Sequence, residues 1–203
     1  MIGQNRQVCK AMIAIVRQKR RTFHLTIACL LTCLMAVTML VFTVPVSIAQ
    51  DNPSGLALPR FASTRSSPVN VRVGPGTQYD VAWIYVKAGI PVEIIQEFDT
   101  WRRIRDVDGE DGWVHQNLLV GDRRGYVAPW AVDTQVPLRS GPDASATTRA
   151  VLTSGMRVQV SECDGTWCAV RASNSGASSG PTTYSGYVEQ DELWGVYQSE
   201  VIE

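Results

Sequence analysis

The sequence predicts an all-β body of two small barrels or sandwiches in tandem, behind an N-terminal signal or anchor helix. Three observations lead there. No stretch after residue 50 sustains a 3.6-residue apolar period, and turn residues cut short alternating segments at intervals of about 8 to 12 positions. The segment Asn70-Val71-Arg72-Val73-Gly74-Pro75-Gly76 is answered by Val136-Pro137-Leu138-Arg139-Ser140-Gly141-Pro142. After each come a Gly ahead of an alternating strand, a Trp at a hairpin, and Gly-aromatic-Val. The first 49 residues, finally, carry six of the nineteen basic residues and no acid.

Arg17-Gln18-Lys19-Arg20-Arg21 precedes an almost unbroken apolar run from Leu25 to Val44, and Pro45 with Ser47-Ile48-Ala49 completes the plan of a secretory signal. Cleavage after Ala49 makes Gln50 the first mature residue. The run is also long enough to span a bilayer, so an uncleaved anchor is the alternative. Either way the body is exported, to the periplasm or to the periplasmic face of the inner membrane. Arg20-Arg21 is a weak match to a twin-arginine signal, and Met12 is a second candidate start. Beyond the leader, thirteen basic residues face nineteen acidic ones, a balance of −6. Such a body repels phosphate backbones, which excludes nucleic acid as a partner and confines membrane contact to an uncleaved leader.

Residues 50–67 are mostly Pro, Ser, Ala, Gly and Thr and read as a linker entering an edge strand. The first domain, 68–122, opens with alternating Val69, Val71 and Val73 and turns at Gly74-Pro75-Gly76. A surface loop then leads to Ala82-Trp83, Gly89-Ile90-Pro91 introduces the strand of Val92 and Ile94, and Phe98-Asp99-Thr100 turns into the partner strand Trp101 to Arg105. Asp108-Gly109 turns again, Gly112-Trp113-Val114-His115 forms a further strand, and Leu118-Leu119 close the unit. Residues 123–130 read as a join too apolar for a free linker, so the two units are expected to pack together. The second domain, 131–197, follows at an offset of about 67 at Val136, 66 at Gly155 and Trp167, and 74 at Gly186-Tyr187-Val188, and 198–203 is a tail. The growing offset marks an insertion at 172–183, a Ser/Gly/Asn-rich stretch expected to lack fixed structure.

Of five cysteines, Cys9, Cys29 and Cys33 lie in the leader, where neither Cys29 nor Cys33 has the full apolar run before it that lipid attachment needs. Cys163 and Cys168 flank Asp164-Gly165-Thr166-Trp167 across a predicted hairpin, where a structural disulfide is favoured over a metal site or a redox pair. A metal would need further ligands, and the body has only His115; a redox centre would more naturally be Cys-x-x-Cys. The short loop gives the bridge about 2 kcal/mol. At the equivalent positions of the first repeat stand Glu97 and Arg102, read as an exposed charge pair worth about 0 to 1 kcal/mol.

Catalytic chemistry finds little support. His115 is the sole histidine of the body, nothing nearby would orient it as a base, and Asp106, Asp108, Glu110 and Asp111 cluster on a turn as solvated charges. Gly74-Pro75-Gly76 lacks the Lys and helix of a phosphate-cradling loop. No enzyme activity and no cofactor are expected. The six Trp point instead to a binding surface. Strand alternation puts Trp101, Arg103 and Arg105 on one face and Ile104 on the other, making that ring with its guanidinium groups the first candidate site. Trp113, Tyr79 and Trp83 supply further candidate rings, and Trp113 with its counterpart Tyr187 suits packing as well as binding.

Asn-Val-Arg-x-Gly-Pro, the Gly before the central strand, the hairpin Trp and Gly-Trp-Val together resemble the bacterial SH3-like domain in its tandem exported form, over about Val69 to Gly195. The first repeat is the closer match, since Pro137 and Ser140 replace Asn70 and Val73 in the second. The resemblance implies a curled barrel of five or six strands per unit and a binding or targeting role beside proteins that act on the cell wall. The expected partner is peptidoglycan or another periplasmic protein. The alternative is a structural or regulatory subunit of an envelope complex that binds no wall polymer.

Overall fold

A computed structural model describes residues 52–174 and 182–203; the leader, with Cys9, Cys29, Cys33 and the expected cleavage site, lies outside the described residues. Among the described residues no helix is long and apolar enough to cross a membrane. The described residues form one compact unit built from two sheets.

The first sheet contains β1 (Arg60–Thr64), β2 (Val69–Arg72), β3 (Val81–Tyr85), β4 (Pro91–Phe98), β5 (Trp101–Arg105), β6 (Asp111–His115) and β7 (Leu119–Val120), in the order β3-β2-β6-β5-β4-β1-β7. The second contains β8 (Arg124–Val127), β9 (Gln135–Arg139), β10 (Thr148–Thr153), β11 (Arg157–Asp164), β12 (Trp167–Asn174), β13 (Thr182–Glu189) and β14 (Leu193–Trp194), in the order β10-β9-β13-β12-β11-β8-β14. The two orders match strand for strand, which is what a tandem duplication requires. A last strand, β15 (Val201–Ile202), adds to β11 at Cys163 and Asp164.

Alternation builds both cores. Val69 and Val71 of β2, Val92 and Ile94 of β4, Ile104 of β5 and Val114 of β6 are buried together, and Leu138, Val158, Val160, Val170 and Val188 repeat the arrangement. Gly89 and Gly155, ahead of the central strands, have φ of +72° and +75°, a region costly for other residues. Gly112 and Gly186 serve close approach instead: a Cβ would lie 3.1 Å from the Arg72 carbonyl oxygen in the first and 2.4 Å from that of Arg139 in the second.

Several segments differ from expectation. The linker of 50–67 contains β1, which is no edge strand: it lies between β4 and β7, and Phe61 to Thr64 are all buried. One side meets its own core and the other meets the second sheet, so no alternation marks it. Its hydroxyls add to the ladder, Ser63 donating to the Asp122 carbonyl at 2.8 Å and Thr64 Oγ1 accepting from the Ile90 amide at 2.9 Å. The join of 123–130 likewise contains β8, the counterpart of β1, paired with β11 and β14. Within the insertion, β12 and β13 stay paired out to Asn174↔Thr182, and only 175–181 fall outside the described residues.

Cys163 and Cys168 form the expected disulfide across the β11–β12 hairpin, fully buried. Glu97 and Arg102 do pair in its place in the first repeat, at 3.1 Å, but the pair is buried rather than exposed. Glu97 also accepts from Arg60 at 2.6 Å and from the hydroxyl and amide of Ser54 at 2.7 and 2.9 Å. The segment before β1 is therefore pinned to the barrel.

The two sheets meet over β1. Phe61 packs edge-on against Trp194 with centroids 5.2 Å apart and against Tyr197 at 4.8 Å, and the Arg123 guanidinium lies 6.0 Å from its ring. The Tyr197 hydroxyl donates to Glu93 at 2.9 Å, Arg157 donates to the Ala88 carbonyl at 2.6 Å, and Arg123 and Glu200 pair alongside. Burial, then this bond to Glu93, raises the Tyr197 pKa well above its ordinary value. Of the join's rings, Tyr126 packs near Trp194, whereas Trp130 is exposed.

Candidate functional site

Cross-strand register fixes the outward face of the first sheet. Trp101 stands opposite His115, Arg103 opposite Trp113, and Arg105 opposite Asp111, while Arg102, Ile104 and Val114 turn inward. The alternation that grouped Trp101, Arg103 and Arg105 is thus present, but both arginines already hold carboxylates. Arg103 pairs with Asp111 at 2.7 Å and Arg105 with Glu93 at 2.6 Å. Partly exposed pairs of this kind contribute about 0 to 1 kcal/mol and leave the face close to neutral.

Beside these pairs lies a shallow cleft of about 200 Å³ where β2, β5 and β6 come together. Pro68, Asn70, Arg72, Thr77, Trp101, His115 and Leu118 line it. The half-buried indole of Trp101 meets the His115 imidazole edge-on at 5.5 Å, and His115 Nδ1 accepts from the Asn117 amide at 3.3 Å. That bond caps the single turn Gln116–Leu118 and fixes the ring's orientation. Arg72 is committed to shape, donating to the Thr77 and Tyr79 carbonyls at 3.2 and 2.6 Å. Arg139 does the same for the second repeat through the Ala146 carbonyl at 3.1 Å, so the repeated arginine first of all holds the loop after its strand.

The remaining candidate rings divide. Tyr79 stays 41% exposed over Gly74, where a Cβ would come within 2.6 Å of its ring. Trp113 is half-buried on the outward face, with Arg72 and Arg103 on either side. Trp83 does not join this surface: its indole crosses the edge of the first core above Gly112, and its Nε1 is buried without a hydrogen-bond partner among the described residues. Asn70 and His115 join the cleft although the sequence does not single them out as binding residues. The signal for Asn70 lay in Asn-Val-Arg, whereas His115 reaches the cleft only through its pairing with Trp101.

The corresponding place in the second repeat has a different lining. Pro137 and Glu189 occupy the positions of Asn70 and His115, and Trp167, opposite Glu189, lines with it a hollow of about 430 Å³ that Asp191 and Ser199 of the C-terminal segment complete. Among the described residues no group of His, Cys, Asp and Glu is placed to hold a metal ion.

Comparison with curated proteins gives no match. Two solved structures from Trichomonas vaginalis, those of NlpC1 and NlpC2, are each 17% identical with TM-scores of 0.27. They cover 73% and 67% of this chain, which spans about half of their length, 50% and 48%. The Bacterial SH3 domain family matches residues 65–121 and 132–195, one segment in each sheet. Together these segments take in more than half of the sequence, and the chain belongs to the bacterial SH3 domain family.

Proposed function

We propose that the protein is a non-enzymatic, exported binding module of the cell envelope whose first repeat holds a peptide or glycan element of the wall in the Trp101–His115 cleft. The observation that carries this reading is the cleft itself. An indole face, an oriented imidazole and the Asn70 amide border a hollow that is open on the outward side of the sheet. Rings of this kind offer apolar area to sugars and extended peptides, and Trp is a frequent centre of binding energy. The family membership and the buried disulfide, suited to an oxidising compartment, support it.

Co-sedimentation of the full chain with purified sacculi tests the reading. Trp101→Leu and His115→Asn, the latter keeping a cap acceptor, are each expected to weaken binding about tenfold, or about 1.4 kcal/mol, with little change in melting temperature. Folded variants that sediment as well as the parent protein would exclude the cleft.

One observation favours a second reading, a subunit of an envelope complex. The edge strand β3 leaves Val81 and Ile84 exposed, and Val86 follows directly after them. An unprotected apolar edge suits strand addition by a protein partner. Ile84→Lys would then abolish cross-linking to that partner and leave sacculus binding intact.

A further inference from the structure

The outward row that crosses four strands of each sheet differs between the repeats in a way that neither family nor fold explains. In the first sheet the row reads Phe61, Glu93, Arg105, Asp111 from β1 to β6. Arg105 has a carboxylate on each side, and Phe61 with Glu93 is covered by Trp194 and Tyr197. In the second sheet the same row reads Arg124, Gln159, Arg171, Ser185 from β8 to β13. Both acids are gone, Glu93 by its nearest neutral counterpart, and the ring has become a second arginine.

Two adjoining hollows of about 270 and 210 Å³ share Gln159 and Arg171, and no acidic residue lines either. Arg149 enters the first and donates to the Ser185 carbonyl at 3.0 Å; Arg124 and Arg157 enter the second. None of these four arginines forms an ion pair among the described residues. The neighbouring segment 175–181 contains no acid that could supply one. Four guanidinium groups without an ion pair on a body of balance −6 form a local field against the overall charge, the acids Asp106 and Asp108 of the first repeat acting on Tyr126 beside Arg157. Strands lie about 4.8 Å apart, so Arg124 and Arg171, separated by one strand, stand about 10 Å apart, with the Gln159 amide between them.

We propose that this outward face of the second repeat is an oxyanion-binding site for a small ligand carrying two or more phosphate or carboxylate groups. Guanidinium forks bind both groups in bidentate fashion, and Gln159 adds a neutral donor at the centre. The overall negative charge repels a long polyanion, which selects a compact ligand. In the first repeat Trp194 and Tyr197 of the C-terminal segment cover Phe61 and Glu93, whereas in the second the row keeps its two hollows, one of them bordered by Ala88, whose carbonyl accepts from Arg157.

Isothermal titration of the full chain in neutral detergent tests the site with three probes: tripolyphosphate, citrate, and glycerophosphoglycerol as an anionic lipid headgroup. Saturable binding of tripolyphosphate or citrate that weakens with added salt is expected. Glycerophosphoglycerol, with its single phosphodiester, is expected to bind more weakly than either polyanion, and tighter binding than both would overturn the requirement for two anionic groups. Gln159→Glu restores the acid of the first repeat beside Arg171 and is expected to lower affinity about tenfold while the melting temperature holds. Arg171→Gln, at an exposed position, is the second variant and should have the same effect. Failure of all three probes to bind, affinity unchanged in a folded variant, or tighter retention of duplex DNA than of tripolyphosphate would each overturn the proposal.

Discussion

Glu97 shows how one position can carry a duplication's divergence. In the second repeat the hairpin is closed by a covalent bond between Cys163 and Cys168; in the first, a carboxylate with no exposed side-chain surface holds Arg102, Arg60 and Ser54. Burial by itself would raise the Glu97 pKa, but the bond from the Ser54 hydroxyl, then those from Arg60 and the Ser54 amide, and the charge of Arg102 bring it below the ordinary glutamate value. A folded-state pKa below the unfolded one adds stability that is present above the unfolded value and is lost as pH falls through the folded one. Glu97→Gln leaves Arg102 buried without its counter-charge and is expected to cost about 3 kcal/mol at neutral pH. Urea unfolding should show that difference shrinking as pH falls below the ordinary glutamate range. Cys163→Ala with Cys168→Ala is expected to cost about 2 kcal/mol, read the same way. Thiol labelling of the folded parent protein that reached both cysteines would remove the basis for that figure.

At the scale of elements, legibility followed the number of faces a strand buries. Strands β2 and β5 bury one face each, so their period of two stood out in Val69-x-Val71 and Trp101-x-Arg103-x-Arg105, while in β4 Val92-x-Ile94 stood out because the buried residue between them, Glu93, is charged. Strands β1 and β8 bury both faces or pack against the other sheet, and their small or mixed residues carried no period. The outward face of β5 was legible, but the charges opposite it were not. Glu93 and Asp111 reach Arg105 and Arg103 through register, and Arg124, Arg157 and Arg171 are scattered in sequence until β8, β11 and β12 align them. The insertion followed its composition only in part. Replacing 175–181 by Asn-Gly is expected to change stability by less than about 1 kcal/mol, since loop length enters weakly. Removing all of 172–183 also deletes buried Ala172 and the Ser173↔Thr183 pair, and its urea midpoint should fall clearly below that of the shorter deletion. Equal midpoints for the two deletions would mean that the extended hairpin adds nothing to the second core.

For the whole molecule, the central question is whether two similar sheets unfold together. Each has its own buried cluster, so each has the means to fold alone. What couples them is narrow and aromatic: Phe61 from the first sheet enters between Trp194, Tyr197 and Arg123, and Tyr197 reaches back to Glu93. A buried Phe replaced by Ala costs about 3 to 5 kcal/mol through lost transfer energy and the cavity left behind. Because Phe61 lies at the boundary, much of that loss should fall on the coupling between sheets. The parent protein is therefore expected to give one calorimetric transition with equal van't Hoff and calorimetric enthalpies. Phe61→Ala should divide it into two, the first sheet melting earlier because β1 also supplies Ala62 to that core. Tyr197→Phe, which keeps the ring and removes only the bond to Glu93, should lower the midpoint slightly and leave the transition single. A single transition in Phe61→Ala, shifted but undivided, would show that the coupling runs through the backbone join at Ser63 and Asp122 and through Arg157 and Ala88. Two transitions already present in the parent protein would show that the aromatic contact does not bind the sheets into one cooperative body.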